Sequence, residues 1–336
     1  GDSAKLCSLR DFKAYKNTDS RLNLSVTSQQ GVEVGREQIA LSDDLYEAGR
    51  KLAADAMKRY KSSRRLATLS TAELLARNFS VIPQFFRAPT DNDKSFGNWI
   101  AKDWKKTHLD STLSAIPLKD GEYVYHYGED GASDKAGSSA SAKSGGNIRL
   151  RLEVSPQQDG FVDVKATYSF EGNLPELPRL GLRLEMPRVA YDQVKWYGRG
   201  PWENYPDRKL SCPIGWYESS VENQFTHYPR PQDNGNHEDC SYIELTNKNG
   251  KNALQVVAAG NTPLSFSALP YSVADLYAAR HDFELKQSAN PNLRYTCLSL
   301  DCAVLGLGNS SCGPGVLKKY AIDKTKTYTL DRKSVV

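Results

Sequence analysis

Trp196-Tyr-Gly-Arg-Gly-Pro-Trp-Glu-Asn-Tyr-Pro-Asp-Arg208 packs two Trp, two Tyr, two Gly, two Pro, two Arg and two acids into one short run. Neither the 3.6-residue period of a helix nor the alternation of a strand fits it. The composition predicts a rigid, aromatic, polar loop that follows a strand. Ordered loops that mix aromatic faces with Asn, Asp and Arg are typical sugar-binding or interface surfaces. Arg199, Trp202, Glu203, Asn204, Tyr205, Asp207 and Arg208 are therefore candidate structural or sugar-facing residues.

Strand patterns surround this loop. Ile148-Arg-Leu-Arg-Leu-Glu-Val154 alternates apolar and polar residues, as a half-buried strand does. Further strands are expected at Phe161–Phe170, Leu180–Met186, Tyr242–Thr246, Ala253–Ala258, Leu264–Ala268 and Leu293–Leu305. Turn chemistry separates them at Glu171-Gly-Asn173, Asn247-Lys-Asn-Gly250 and Gly313-Pro-Gly315. Many short strands at such spacing indicate an all-β fold, an antiparallel sandwich or barrel. No GxGxxG, P-loop or βαβ rhythm is present. Two covering helices are expected. One spans about residues 42–60, where Ser42 can cap and Leu45, Leu52, Ala56 and Tyr60 share a stripe. A shorter one spans Asn98–His108. Residues 130–146 are Gly/Ser/Ala-rich and read as a mobile hairpin loop, across which Tyr123–Tyr127 and Ile148–Val154 could pair.

The bulk numbers exclude several classes. The chain has 336 residues, enough for one large β domain or two ordinary ones. Its 44 basic and 40 acidic residues leave a net charge of +4, too even for a nucleic-acid footprint. No window of about 18 apolar residues exists, so no membrane helix is expected. The chain begins at Gly1 and shows no leader, which leaves the compartment of a soluble chain open between cytoplasm and periplasm. Six cysteines form no CxxC pair and none stands at zinc-site spacing from a His, so no metal site is assigned. Cys297 and Cys302 have odd spacing on a strand and so face opposite ways, which argues against a disulfide between them.

Four other stretches are unusual. In Phe85-Phe-Arg-Ala-Pro-Thr-Asp-Asn-Asp93, a strand ending in two Phe meets Arg87 and an acidic turn carrying Asp91, Asn92 and Asp93. Asp91 and Asp93 could hold Arg87 or Arg208 in charge-assisted bonds, fixing the loop, or the cluster could bind hydroxyls. Tyr228–Asp239 is stiffened by Pro229 and Pro231, turns at Asn234-Gly235 and carries His237 and Asp239. Ala268–His281 offers Ser272 as a cap with Asp275 in the first turn. Leu305-Gly-Leu-Gly-Asn-Ser-Ser-Cys-Gly-Pro-Gly315 is a small-residue turn around Asn309, Ser311 and Cys312.

Taken in order, these five stretches, with Trp104–Asp110 and Pro178–Gly181, resemble the C-terminal domain of the lactose-operon type of β-galactosidase, glycoside hydrolase family 2. The resemblance covers about residues 66–320 and fades over 1–65, where Leu24–Val34 is similar to an entry strand and the 42–60 helix has no counterpart. It implies a domain over 66–336 with a large antiparallel supersandwich like that of galactose mutarotase. It also implies a retaining β-galactosidase whose two catalytic Glu residues, with Mg²⁺ and a monovalent cation, lie on a (β/α)₈ barrel. No barrel rhythm is present here. The chain is expected to be the C-terminal domain or small subunit, partnered by a barrel-bearing domain or large subunit, and inactive by itself. No cofactor is assigned to this chain.

In the family the last loop reaches toward substrate, so Cys312, with Asn309 and Ser311, is expected at the pocket rim. The best-known members place Trp at the position of Cys312, and usually an Arg near that of His237. The acids Glu203, Asp207, Glu238 and Asp239 fall in loops that the family uses for structure. Two other readings stay open. The aromatics Trp196, Tyr197, Trp202, Tyr205, Trp216 and Tyr228 suit a non-catalytic carbohydrate-binding module, although the same rings suit packing. A free-standing aldose 1-epimerase needs an acid and a base, for which His227, His237 or His281 with Glu203 or Glu238 supply the types.

Overall fold

In chain order the strands are β1 (Lys5–Leu6), β2 (Ser80–Gln84), β3 (Gly121–Gly128), β4 (Gly131–Lys135), β5 (Gly146–Pro156), β6 (Val162–Gly172), β7 (Arg179–Pro187), β8 (Gln193–Arg199), β9 (Ile214–Ser220), β10 (His237–Cys240), β11 (Tyr242–Thr246), β12 (Leu254–Ala258), β13 (Leu264–Leu269), β14 (Tyr295–Val304) and β15 (Tyr328–Val335). Among the described residues three short α-helices accompany them: α1 (Asp91–Lys94), α2 (Ile100–Lys106) and α3 (Val273–Ala278). The structure, a computed structural model, describes residues 5–6, 80–94, 100–129, 131–135, 145–156, 162–250, 254–259 and 263–335. The expected entry strand at 24–34 and helix at 42–60 lie outside the described residues.

Every described pairing is antiparallel. A ten-stranded sheet runs β1-β9-β8-β11-β12-β15-β6-β5-β3-β4, and a five-stranded sheet runs β10-β13-β14-β7-β2. The expected pairing across the Gly/Ser-rich segment is present, with Tyr123 opposite Leu150 and Tyr125 opposite Ile148. That segment begins with β4, which pairs with β3, while residues 136–144 lie outside the described residues.

The two sheets pack face to face. Phe85, just past β2 in the smaller sheet, meets Tyr125, Tyr127 and Tyr168 of the larger one, with ring centroids 5.3, 6.3 and 6.1 Å apart. Trp196 of β8 meets Phe266 of β13 at 5.7 Å. Edge-on ring contacts of this kind add to the area they bury, and truncating one such Phe costs about 3–5 kcal/mol. Strands buried on one face keep the alternation the sequence shows, as in β6. β13 is buried at all six positions and β7 at seven of nine, so alternation is lost there. The same holds at the head of the Trp196–Arg208 stretch. Trp196–Arg199 belong to β8 and are buried on both faces, so the loop begins only at Gly200.

α2 covers one end of the sandwich. Trp104 is fully buried and its indole N–H donates to the Glu176 carbonyl at 2.6 Å. α3 starts with the expected capping box, Ser272 Oγ accepting from Asp275 N and the Asp275 carboxylate accepting from Ser272 N. No helix among the described residues is long and apolar enough to cross a membrane. β2 and β14 both run antiparallel to β7 and therefore parallel to each other in direction, so their C-terminal ends flank the start of β7. At that end the chain places the Phe85–Asp93 stretch after β2 and the Leu305–Gly315 turn after β14.

Candidate functional site

Two buried guanidinium groups organise the loops. Arg87 follows β2 and is fully buried. It grips Asp93 with two bonds of 3.0 and 2.7 Å and donates to the carbonyls of Leu305 and Gly306 at 2.8 and 3.3 Å. Asp93 also accepts from the Thr90 N–H and hydroxyl. Arg179 opens β7 and donates to Asp301 at 3.2 and 2.6 Å and to Asp233 at 3.2 Å. Asp233 accepts from the Tyr205 hydroxyl at 3.0 Å, and its own N–H donates to the Ala88 carbonyl at 2.9 Å. Burial opposes each Arg charge, but the facing carboxylates outweigh it, so both pKa values are raised and both groups stay charged. Burial pushes the Asp301 carboxyl up, to about 6, against the pull of Arg179.

Gly181 is required by this packing. A Cβ there would strike the Asp301 carboxylate and the Leu300 carbonyl. The glycine lets β7 and β14 close around the ion pairs.

The Trp196–Arg208 loop and the Tyr228–Asp239 loop are zipped together. Arg199 donates to Asp239 at 2.5 Å and to the carbonyls of Lys209 and Cys212. Lys209 also donates to Asp239, at 2.9 Å. Burial raises the Asp239 pKa, yet Lys209 and Arg199 outweigh it and the net shift is downward. Asn204 is fully buried and accepts from the Glu238 N–H at 2.8 Å. Glu203 accepts from the Tyr228 hydroxyl and from the Gly235 N–H at 2.8 Å, and burial raises its pKa. Asn234 accepts from Thr226 N and donates to the Gln232 carbonyl.

His237 is a core residue. Its Nε2 lies 2.6 Å from Gln224 Oε1 and its Nδ1 lies 3.1 Å from the Arg199 carbonyl. The ring packs on Trp196 at 4.4 Å and Phe266 at 5.2 Å. Burial lowers its pKa to about 3.

The third element is the turn after β14. The Asp207 carboxylate accepts from the N–H groups of Leu307 and Gly308 at 2.9 and 2.7 Å. Arg208 donates to the Gly308 carbonyl and to Asn309 Oδ1. Asn92 donates to the Gly308 carbonyl at 2.9 Å and accepts from the Ser311 N–H at 3.0 Å. Gly308 has φ of +65°, which suits it to this reversal. Cys312 N–H closes the turn on the Asn309 carbonyl at 3.0 Å. Asn309 and Cys312 are exposed, Ser311 is half-buried and Ser310 is buried. The result is a clamped turn whose tip offers an amide, a hydroxyl and a thiol to the outside.

The structure thus joins residues that the sequence left as alternatives. Arg87 takes Asp93, while Asp91 faces Gln232, whose Oε1 accepts from the Asp91 N–H at 2.9 Å. Arg208 goes to the turn. Trp202 is 55% exposed, while Tyr205 is buried. Trp196, Tyr197 and Trp216 lie in strands, so they are not loop aromatics. His281 lies apart from the cluster and stacks on Phe283, with centroids 5.3 Å apart. Sequence reasoning missed the Arg179–Asp233–Asp301 group. Its signal was a charge set inside an apolar strand, Asp301 in Tyr295–Val304, which has to find a partner. The carboxylates of Asp93, Asp207, Asp233 and Asp301 each accept from donors of the fold itself. Among the described residues no group of three His, Cys, Asp or Glu is arranged to hold a metal ion.

The family model described as "Beta galactosidase small chain" matches residues 58–332. The chain belongs to the β-galactosidase small chain family. Among its relatives, a beta-galactosidase of Actinobacillus pleuropneumoniae is 28% identical over 239 residues, covering 70% of this chain and 22% of that protein. One of Priestia megaterium is 30% identical over 260 residues, covering 76% and 23%. One of Lactobacillus delbrueckii subsp. bulgaricus is 31% identical over 250 residues, covering 73% and 23%. The small-chain family member described here spans less than a quarter of the length of these relatives.

Proposed function

We propose that the chain is the C-terminal part or small subunit of a retaining β-galactosidase that splits terminal β-D-galactosides. In this reading it shapes the rim of a pocket whose catalytic Glu pair, Mg²⁺ and monovalent cation sit on a barrel elsewhere. The observation that carries it is the clamped turn, where Asp207, Arg208 and Asn92 fix Gly308–Ser311 and leave Asn309 and Cys312 exposed. A rim must hold its shape against water before substrate arrives, and fixed backbone meets that need. The internal acids do not suit hydrolysis, since Asp93, Asp207, Asp233 and Asp301 each accept from donors of the fold itself. A retaining pair needs two carboxyl groups about 5 Å apart facing one substrate.

The test is a mixing experiment with a β-galactosidase barrel chain that lacks this region. A chromogenic galactoside should turn over in the mixture and not with this chain alone. Turnover by the isolated chain, or no gain on mixing, sinks the reading.

The exposed Trp202 ring keeps a second reading alive, a carbohydrate-binding module. Calorimetric titration of the isolated chain with galactose and lactose checks it, since a purely structural chain gives no heat. The epimerase reading loses His237, whose two ring nitrogens are both engaged inside the core.

A further inference from the structure

A cleft on the smaller sheet is used by nothing described so far. It is a half-open cleft of about 180 Å³ between Glu185 of β7, Tyr295 and Cys297 of β14, and the segments around Ser272 and Lys286–Arg294. Tyr295 opens β14, whereas the clamped turn follows its other end. Ten residues of strand separate the two places, about 30 Å at 3.3 Å per residue. The cleft is therefore separate from the rim.

Its chemistry is specific. The charged residues that line it are Glu185 and Asp275 against Lys286 and Arg294, so the lining sums to zero. Three of these four are already tethered. Asp275 serves the cap of α3, Glu185 lies 3.2 Å from Arg183, and Arg294 donates to the Ser288 carbonyl at 2.7 Å. A lining with no net charge and mostly tethered ions offers little to a phosphate or a metal ion. It offers donors and acceptors to a neutral, hydroxyl-rich molecule. Gln287 also lines the cleft, with its Nε2 held by both Glu222 oxygens at 3.1 and 3.2 Å.

Apolar surface completes the set. Tyr295 is 51% exposed and Leu293 59% exposed at the lip. Tyr271 stands in the wall, packed edge-on against Phe225 at 4.9 Å. The walls are braced, because Arg188 ties the Tyr295 carbonyl to Glu222, the same carboxylate that receives Gln287. Flat phenolic faces beside amide and carboxylate acceptors in a rigid cleft match a pyranose, which has one apolar C–H face and a rim of hydroxyls.

We propose that this cleft is a second saccharide site that takes a neutral pyranoside, with Tyr295 as its stacking ring. The site does not depend on the barrel and is open in the chain by itself. Saturation-transfer NMR of the full chain with methyl β-D-galactopyranoside, and in a parallel arm methyl β-D-glucopyranoside, tests it. Saturable transfer to at least one of them is expected. Affinity should fall about tenfold in Tyr295→Ala, the loss of one stacking contact, and be kept in Tyr295→Phe. It should also be kept in Trp202→Ala, which removes the exposed ring of the loop after β8. Near-UV circular dichroism checks that each variant is folded. No saturable transfer from either sugar overturns the proposal. So does binding that survives in folded Tyr295→Ala but is lost in Trp202→Ala, because the sugar then sits on the Trp202 ring.

Discussion

Asn92 holds Ser311 across 219 positions of sequence, its side-chain oxygen accepting the Ser311 N–H at 3.0 Å. The same side chain donates to Gly308, so one amide closes both sides of the turn that carries Cys312. Asn92 stands on α1, whose place is set by the Arg87–Asp93 pair. The buried Arg87–Asp93 pair therefore acts on the turn through Asn92 as well as through the bonds of Arg87 to the Leu305 and Gly306 carbonyls.

Asn92→Ala removes both bonds at once. Loss of two neutral hydrogen bonds at a half-buried site should cost about 1–2 kcal/mol in urea unfolding. In the complex with a barrel chain, the proposed function has KM for a galactoside rise several-fold with kcat nearly kept, since that reading puts the chemistry on the barrel. Michaelis curves decide this. A fall in kcat with KM unchanged would refute the positioning role.

Arg179→Met leaves Asp233 and Asp301 buried without their cation. Breaking a buried ion pair from one side costs about 3–5 kcal/mol, far above the value of a surface pair. Adding Asp301→Asn should recover part of the loss. The urea midpoints of the single and double variants measure it, and a loss below about 1 kcal/mol for the single variant would contradict the geometry.

His237 makes the fold sensitive to acid. Its folded pKa is about 3, against an ordinary 6.5. Below pH 6.5 the unfolded chain takes up this proton and the folded chain does not. The stability contributed is thus full above about pH 6.5 and is lost as pH falls toward 3, by on the order of 4 kcal/mol at the lower end. In His237→Phe, which keeps the ring stack on Trp196, the fall in stability between pH 6.5 and 4 should be shallower. Chemical denaturation at several pH values compares the slopes. Equal slopes would show that His237 does not drive the acid response.

Gly181→Ala places a methyl group against the Asp301 carboxylate and the Leu300 carbonyl. Since backbone cannot yield cheaply, β7 and β14 must separate, at a cost of about 1–3 kcal/mol or more. A melting temperature lowered by several degrees is expected. An unchanged one would mean the two strands are less closely fitted than described.

The sequence made some parts of this molecule plain and concealed others, for physical reasons. Ile148–Val154 could be read because its Arg side chains stand on a face turned to water, so alternation survives. Trp196–Arg199 could not, because β8 is covered on both sides and its composition mimics a loop. The four-residue strand β10, with its register shift between His237 and Cys240, is too short and irregular for any period to show. Asp207 and Arg208 were legible as candidates, yet their common target, the backbone of Gly308, leaves no trace in side-chain identity. Arg179 and Asp301 stand 122 positions apart, and no local spacing links them.

The triple grip on Gly308 bears on how a second chain would approach. A loop that had to freeze on contact would charge its lost motion against affinity. Here Asp207, Arg208 and Asn92 have already fixed that stretch of main chain, so docking at this edge resembles a key meeting a lock. If the proposed barrel partner docks at this edge, selection rests on outline, and a barrel of slightly different contour is turned away by misfit instead of being accommodated.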